Sequence, residues 1–516
     1  MEMIFAGLLD SISPASVLYV FIGVALGVMI GAIPGINGPM AIALFIPVTY
    51  YMTPLTAIGF LVGLNKGAFF GGAVSAVLLR TPGTPEAAAT AWDGYPLTQQ
   101  GKGEKALRMA LYSSVAGDFL STIVLILIAA PLAAVALFMG PAEIFALISL
   151  ALTVIAGIGT SSILRGLIAA GLGILIGLIG TEPVTALPRL TFDIYQLGSG
   201  LSLIPVAIGL LAFSEILLQL EKITAKGGAE KAVTKFSSKL EDRFLSVKEF
   251  FANTKTLLRG SLIGIGVGAM PGLGAPVASF MSYDQAMKRS PHKEEFGKGR
   301  LEGIAASESA NSSVVAASLI PLFVLGIPGN LAAAMLMGAF MIHGMQPGPL
   351  LFKENAQLMY GIYGSLLLAS LLLLVIGRFG LRFFCKAVNI PALILYPTVV
   401  FTCIMGAYLG KSSMFDVGVM LAFGFIGYFM RKFDYSYVAF LIGFILAPEW
   451  ERALQQVVII SEFDTFMFLH RPVAVGLIVL SLFVIGRTFW NSIITRRKKQ
   501  LAAAAAAVAA GAHKGD

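Results

Sequence analysis

Residues 31–39 read Gly31-Ala-Ile-Pro34-Gly35-Ile-Asn37-Gly38-Pro39, inside a stretch from Ser11 to Asn65 that contains no Asp, Glu, Lys, Arg or His. A hydrocarbon layer about 30 Å thick is crossed by about 20 helical residues, so this stretch holds two membrane elements and their connection. Pro removes a backbone donor and clashes with the preceding helical turn, whereas Gly permits backbone conformations closed to other residues. The quoted residues therefore predict a helix that is broken inside the membrane.

The composition of the whole chain fits a membrane environment. Of its 516 residues 57% are hydrophobic and 12% are charged, and the mean hydropathy is +0.85. Soluble domains carry about 25% charged residues, and disordered chains need low hydrophobicity. Backbone groups in lipid must be paired within the protein, which favours helices. We predict an all-α polytopic membrane protein with about 11 to 12 transmembrane elements, some of half length, and no nucleic-acid partner.

The motif at residues 31–39 occurs a second time. Gly268-Ala-Met-Pro271-Gly272-Leu-Gly274-Ala-Pro276 matches it 237 residues later. A second motif follows each copy: Leu79-Arg-Thr81-Pro82-Gly83 and Leu325-Gly-Ile327-Pro328-Gly329 are 246 residues apart. Two motifs in the same order at nearly the same spacing indicate a duplication. We predict a first transmembrane repeat at residues 1–219 and a second at residues 260–486.

The distribution of charge predicts how the two repeats are oriented. The linker at residues 220–259 carries nine Lys or Arg residues, and the tail at residues 487–516 begins with a basic run and ends Ala-rich. The positive-inside rule makes both cytoplasmic. Because the first fourteen residues contain Glu2 and Asp10 but no basic residue, we expect the N-terminus to be periplasmic. The repeats then cross the membrane in opposite directions, as in many secondary transporters.

The four Pro-Gly segments are the predicted site, as broken helices or re-entrant hairpins. Helix ends that expose N–H groups favour anions, and ends that expose C=O groups favour cations. Breaks at matching places in two halves indicate a transporter's binding site, although kinks or Gly packing faces are the alternative. The structural breaks are Pro34, Pro82, Pro271 and Pro328. The predicted substrate-binding residues are Gly35, Asn37, Gly38, Ser75, Thr81, Gly83, Thr84, Gly272, Gly274, Asn311, Ser312, Gly329 and Asn330.

Glu308, Asn65 and Ser309 are the predicted ion-coupling residues. A carboxylate at membrane depth costs about 2.5–3.5 kcal/mol, so Glu308 needs a partner or a task; it either couples transport to an ion or proton, or is satisfied near a helix end. Lys66 could pair with a substrate carboxylate or extend to the membrane interface. Scattered histidines and two cysteines in apolar surroundings predict no resident metal or cofactor, only transported Na+ or H+.

These motifs resemble the large membrane subunit of the tripartite tricarboxylate transporters, the TctA type. Three further segments carry the resemblance: Gly71-Gly-Ala-Val-Ser75-Ala-Val-Leu-Leu-Arg80-Thr-Pro-Gly83, Ala91-Trp-Asp93-Gly94-Tyr-Pro96, and Glu302-Gly-Ile-Ala-Ala-Ser307-Glu308-Ser309-Ala-Asn311-Ser312-Ser313. The resemblance covers roughly residues 15–480. Lys66 and Arg80 are small departures that bear on substrate charge preference or on nothing.

The resemblance implies a multi-pass protein of the bacterial inner membrane that transports its substrate and is not an enzyme. It implies a small four-span membrane subunit and a periplasmic solute-binding protein as partners, besides membrane lipid. Uptake of citrate or a related carboxylate would be driven by a sodium or proton gradient. The alternatives are a carboxylate symporter that works without a binding protein and, less expected, an ion channel, since broken helices also build selectivity filters.

Overall fold

The computed structural model describes residues 2–79, 83–157, 160, 162–182, 185–226, 239–387, 392–461 and 471–487, which are largely helical. The helices up to the central linker are α1 (Glu2–Ser11), α2 (Pro14–Gly31), α3 (Gly38–Phe45), α4 (Pro54–Leu79), α5 (Ala88–Gln99), α6 (Gly103–Ala136), α7 (Pro141–Ile155), α8 (Ile163–Gly177), α9 (Leu203–Ile208) and α10 (Ser214–Lys226). A π-helical segment, Gly209–Phe213, joins α9 to α10.

The second part of the chain repeats this helical character. Its helices are α11 (Leu240–Arg243), α12 (Val247–Ala252), α13 (Thr254–Gly268), α14 (Gly274–Arg289), α15 (Leu301–Ala317), α16 (Leu319–Leu325), α17 (Leu331–Ile342), α18 (Leu351–Glu354), α19 (Ala356–Ala387), α20 (Ala392–Leu409), α21 (Met414–Lys432), α22 (Tyr437–Ile460) and α23 (Pro472–Arg487). Short 3-10 turns lie at Ile46–Tyr51, Pro85–Ala87, Tyr195–Leu197 and Lys293–Glu295. One antiparallel ladder pairs β1 (Gly180–Thr181) with β2 (Pro188–Arg189), with Gly180 opposite Arg189.

Length and apolarity qualify many of these helices as membrane elements. In the described part of the chain seven helices are long and apolar enough to cross a bilayer, and six shorter apolar helices accompany them. This confirms the predicted all-α polytopic membrane fold. Two helices form its centre: α4 is buried on all sides from Thr56 to Leu78, and α15 from Gly303 to Ala317. The polar side chains of these two helices are therefore also enclosed by the protein.

Each copy of the motif lies in a helical hairpin. In the first, α2 leads to the Pro34-Gly35 break, α3 and the turn Ile46–Tyr51 return, and α4 packs on α2. The backbones approach closely: a Cβ built on Gly27 would lie 2.1 Å from the carbonyl oxygen of Leu64, and one on Gly31 would lie 2.2 Å from that of Ala68. The second contact lies four residues further along both helices than the first, so α2 and α4 run parallel.

The second copy has the same arrangement. The hairpin of α13 and α14 precedes α15, and Gly260 and Gly264 of α13 lie against the carbonyl oxygens of Ala306 and Ala310. The helices α13 and α15 therefore also run parallel. Small residues permit this close packing in both copies, as is common between membrane helices.

The contacts around α6 fix the relative directions of the two copies. Thr98, just before α6, donates to the carbonyl oxygen of Val77 near the end of α4, whereas Lys66 in the middle of α4 pairs with Asp118 further along α6. The helices α4 and α6 are therefore antiparallel.

The helices α6 and α15, by contrast, run in the same direction. Ser114 contacts Glu308, and Ser121 contacts Ser313. Because α6 is parallel to α15 and antiparallel to α4, the two central helices α4 and α15 run in opposite directions.

Candidate functional site

The Pro-Gly segments in the described part lie between helices. Pro34 separates α2 from α3, Pro271 separates α13 from α14, and Pro328 separates α16 from α17. The predicted site residues Thr81 and Pro82, and Arg80 beside them, lie outside the described residues. Three of the four predicted breaks are therefore interruptions of helical structure.

The two breaks of each copy meet through one backbone hydrogen bond. The N–H of Gly35 donates to the carbonyl oxygen of Gly83 at 3.4 Å, and in the second copy the N–H of Gly272 donates to that of Gly329 at 2.9 Å. Gly35 has φ +95° and Gly272 has φ +98°, conformations that glycine adopts without steric cost. Both copies thus build the same junction of two helix interruptions.

Only glycine fits at positions 83 and 329, because neighbouring backbone atoms lie too close for a Cβ atom. A Cβ on Gly83 would lie 2.6 Å from the carbonyl oxygen of Gly31, and one on Gly329 would lie 2.7 Å from that of Ser318. Backbone atoms cannot move aside as the end of a flexible side chain can. The junctions therefore depend on glycine at both positions.

For the transport predicted from the sequence, Gly329→Ala is expected to lower substrate uptake by about tenfold or more, since overpacking costs about 1–3 kcal/mol and here would separate Gly329 from Gly272. The measurement is uptake in vesicles, normalised to the amount of folded protein. Gly266→Ala in α13 is the matched control, because a Cβ there meets nothing within 4 Å. Equal uptake by both variants would show that the tight junction is irrelevant to transport.

Two predicted substrate ligands cap the helices that follow breaks. The Asn37 Oδ1 accepts from the N–H of Met40 at 3.1 Å at the start of α3, and the Asn330 Oδ1 accepts from the N–H of Ala333 at 2.9 Å at the start of α17. An N-cap satisfies one of the otherwise unpaired donors of a helix. Their oxygen atoms are thus committed to the backbone, and the amide N–H groups are what these residues can offer to an anion.

Asn65 and Asn311 occupy equivalent positions. They are 246 residues apart, the same offset as Pro82 and Pro328, and they lie in α4 and α15. Asn65 is 2% exposed and Asn311 is 0% exposed. Within the described residues, the Asn65 Oδ1 and the Asn311 Oδ1 have no hydrogen-bond partner, while the Asn311 Nδ2 group interacts with the Glu308 carboxylate. A buried unpaired polar group costs about 1–3 kcal/mol, so both amides suit contact with a ligand.

The Asn65 amide is directed at a break. A Cβ on Gly38, the first residue of α3, would lie 2.5 Å from the Asn65 Oδ1. The helix α3 contacts α17, and α14 contacts the turn Pro85–Ala87. Each segment that follows a break in one copy therefore packs against one that follows a break in the other, which brings the two junctions into one region.

Glu308 lies in the middle of α15 and is 0% exposed. Its carboxylate accepts from the Thr90 hydroxyl at 2.5 Å and from the Ser114 hydroxyl at 2.8 Å, and Thr90 also contacts the Ser307 hydroxyl at 2.9 Å. No Lys, Arg or His forms an ion pair with Glu308 in the part of the chain that is described. Glu308 therefore does not lie near a helix end; it is a buried carboxylate whose hydrogen-bond partners are two hydroxyls and the Asn311 amide.

Lys66 is buried and paired. Its ammonium lies 2.8 Å from the Asp118 carboxylate and donates to the carbonyl oxygen of Leu366 at 2.8 Å and to the Ser370 hydroxyl at 3.0 Å. Ser370 also donates to Asp118 at 2.6 Å. Lys66 therefore neither extends to the interface nor presents its charge to a substrate in this conformation; it joins α4 to α6 and α19.

Asp93, in the Ala-Trp-Asp-Gly-Tyr-Pro motif, positions the loop before α15. Its carboxylate accepts from the backbone N–H groups of Gly297, Gly299 and Arg300 at 2.8–2.9 Å and from the Tyr283 hydroxyl at 2.7 Å. The motif thus connects α5 of the first copy to the loop and hairpin of the second. Its role in the structure is to hold the two copies together.

The remaining predicted residues divide between the junctions and helix packing. Ser75 is buried in α4 and donates to the carbonyl oxygen of Gly72, and Thr84 is buried beside Gly83. Ser309 donates to the carbonyl oxygen of Ala306 where α15 meets α13 and α6, and Ser312 is buried in α15. Gly274 begins α14 with φ +71°.

Sequence reasoning did not identify the partners of Glu308 and Lys66. Thr90, Ser114 and Asp118 come from segments distant in sequence, and nothing near Glu308 indicates them. One signal was available for Asp118, the one ionisable residue of α6 beyond its first two turns. A single carboxylate and a single ammonium at membrane depth are expected to form an ion pair.

The tripartite tricarboxylate transporter TctA family model matches residues 17–442. The chain belongs to this family. A relative from Agrobacterium vitis, described as an uncharacterized 52.8 kDa protein in the TAR-I ttuC' 3' region, is 33% identical over 491 residues, 95% of this chain and 96% of its own length. An uncharacterized protein in the TAR-II ttuC' 3' region of the same organism is 34% identical over 238 residues, 46% of this chain and 97% of its own length. No solved structure matches the chain. Membership of this family indicates that the chain is the large subunit of a tricarboxylate transporter.

Proposed function

We propose that the chain is the large transmembrane subunit of a binding-protein-dependent secondary transporter that imports tricarboxylates or related carboxylates such as citrate. The observation that carries this proposal is the pair of equivalent junctions, which bring backbone N–H groups of two helix interruptions together in each copy, beside the buried amide of Asn65 or Asn311 on the adjacent central helix. Backbone N–H groups at helix starts and side-chain amides are suitable donors for carboxylates. Two such junctions in one region suit a substrate with more than one carboxylate.

We propose that the two repeats, residues 1–219 and residues 260–486, are mounted in opposite orientations around this site. The antiparallel directions of α4 and α15 support this proposal. The basic linker and tail favour a cytoplasmic location for residues 220–259 and residues 487–516, and a periplasmic N-terminus, in a protein of the bacterial inner membrane. A site between inverted repeats can face either side of the membrane in turn.

Glu308 is our candidate for coupling transport to a cation. A buried carboxylate surrounded by hydroxyls can take up a proton, or can bind Na+ together with the hydroxyl oxygens of Thr90, Ser307 and Ser114. Asn65 and Asn311 supply further oxygen ligands near the junctions. The charge of an entering carboxylate is then balanced by the cation that enters with it.

The test is uptake of radiolabelled citrate into proteoliposomes that contain the chain and a small four-span partner subunit. We expect accumulation against a citrate gradient when an inward Na+ or H+ gradient is imposed and the periplasmic binding protein is added, and much less without that protein. Uptake that is unchanged by omitting the binding protein would favour a stand-alone symporter. Movement that only follows the citrate gradient would favour a channel, because a channel cannot concentrate its solute.

A further inference from the structure

Two cavities occupy equivalent places in the two copies. One, of about 260 Å³, is lined by Ala252, Thr256, Ser290 and Glu302 among others; the second, of about 500 Å³, is lined by the corresponding residues Ala15, Tyr19, Thr53 and Thr56. The offsets are 237 residues for the first three pairs and 246 for the last, as in the Pro-Gly motifs. One cavity lies at the start of α13 and the end of α14. The other lies at the start of α2 and the end of the turn Ile46–Tyr51.

The two cavities differ in charge. Lys255, Arg259 and Arg289 line the cavity of the second copy. The cavity of the first copy is lined by Asp10, Tyr51, several hydroxyl groups and apolar residues, and none of the described residues that line it is Lys, Arg or His. Since the same fold builds both cavities, the fold alone does not require three cations at one of them.

The three cations are not neutralised by the protein. None of Lys255, Arg259 and Arg289 forms an ion pair within the described residues, and all three are exposed. Glu302, the carboxylate of this cavity, already accepts from the hydroxyls of Thr256 at 3.1 Å and Ser290 at 2.8 Å. The cavity therefore has an excess of positive charge and open hydrogen-bond donors.

Exposed apolar side chains continue from this cavity along the same helices. On α13, Leu258 is 50% and Leu262 is 64% exposed, and on α14, Met281 is 51% exposed. Leu258 and Leu262 follow Lys255 and Arg259 along one face of α13 at helical spacing. Basic groups at the start of α13 and the end of α14, followed by apolar surface further along both helices, match both parts of a phospholipid.

We propose that this basic cavity binds the phosphate headgroup of an anionic phospholipid, whose acyl chains lie along the exposed apolar faces of α13 and α14. Basic pockets between membrane helices on the cytoplasmic side favour anionic headgroups. A soluble carboxylate would match the charge of the cavity but would make no contact with the adjoining apolar surface. The bound lipid would hold the hairpin that contains the Pro271-Gly272 break at a fixed depth.

The test is lipid retention by the purified full chain, measured by native mass spectrometry after exchange into phosphatidylglycerol, phosphatidylethanolamine or citrate. Wild-type protein is expected to retain phosphatidylglycerol in preference to phosphatidylethanolamine. The triple variant Lys255→Gln, Arg259→Gln, Arg289→Gln is expected to lose affinity for phosphatidylglycerol by about 100-fold, about fivefold for each charge near the surface. Binding is read without transport, so the result does not depend on the proposed function.

Lys288→Gln, Lys293→Gln, Lys298→Gln is the matched control, because it removes the same charge from the same end of the hairpin outside the cavity lining. It is expected to retain phosphatidylglycerol. Size exclusion and thermal unfolding verify that both variants fold, and the single variant Arg259→Gln gives an intermediate affinity. Equal retention by the triple variant and the wild type overturns the proposal. So does a result in which citrate, and not phosphatidylglycerol, distinguishes them.

Discussion

Glu308→Gln is expected to lower gradient-driven uptake by about 100-fold, because hydrogen bonds to a charged group contribute about 1.5–3 kcal/mol and the amide can neither take up a proton nor balance a cation. Gln has nearly the same shape, so its side chain can remain between Thr90 and Ser114. We therefore expect the amount of folded protein in the membrane to change little. The measurement is initial uptake rate in proteoliposomes, divided by the amount of folded protein.

Exchange of substrate across the membrane separates coupling from binding. If Glu308 carries the coupling ion, Glu308→Gln should still exchange internal for external citrate at equal concentrations, while net accumulation is lost. Glu143→Gln is the matched control: Glu143 is also buried, but it caps the start of α7 through the N–H of Gly140, a bond that a Gln can replace. Net uptake by Glu308→Gln at the wild-type rate would contradict a role in coupling.

The helix breaks could be predicted because their cause is local. Pro34-Gly35 and Pro271-Gly272 interrupt a helix whatever surrounds them, and the internal offsets showed that the interruptions occur in equivalent places. The same offset of 246 residues also relates Asn65 to Asn311, so their equivalence was available from the sequence. That their amide oxygens lack partners was not, since it depends on how α4 and α15 pack.

The surroundings of Glu308 could not be predicted from the sequence. Its partners Thr90 and Ser114 lie 218 and 194 residues away. They belong to a set of many Ser and Thr residues, several of which, such as Ser261 and Ser365, donate to carbonyl oxygens of their own helices. A hydroxyl in a membrane helix has this local acceptor in every case. The packing of the helices alone determines which hydroxyls donate a hydrogen bond to a carboxylate instead.

The partner of Lys66 could not be predicted from the sequence either, and here the omission changes the role assigned to the residue. Its position after a long uncharged run suggested a substrate contact or an interfacial side chain, and both depend on the ammonium being available. The ion pair with Asp118, with 1% and 2% of the two side chains exposed, uses that ammonium inside the protein. A buried pair of this kind is expected to act on stability, and removal of one of its two partners gives the second large effect.

Lys66→Met is expected to destabilise the folded protein by about 3–5 kcal/mol, because it leaves the Asp118 carboxylate buried without its cation. Asp118→Leu should have a similar effect by leaving the ammonium unpaired. The double variant Lys66→Met, Asp118→Leu removes both charges, and apolar replacement of a buried pair is often close to neutral. We therefore expect the double variant to be more stable than either single variant. The measurement is thermal unfolding of the four proteins in detergent, arranged as a double-mutant cycle.

Lys432→Met is the control for this cycle, because Lys432 and Glu221 form an exposed ion pair, with 48% of each side chain accessible, and solvent weakens such pairs. It should leave the unfolding temperature nearly unchanged. A substrate contact at Lys66 predicts a different pattern: normal stability, a raised KM for citrate, and no recovery in the double variant. Because the ion pair predicts low stability with recovery, the cycle decides whether the buried ammonium binds the substrate or fastens α4 to α6 and α19.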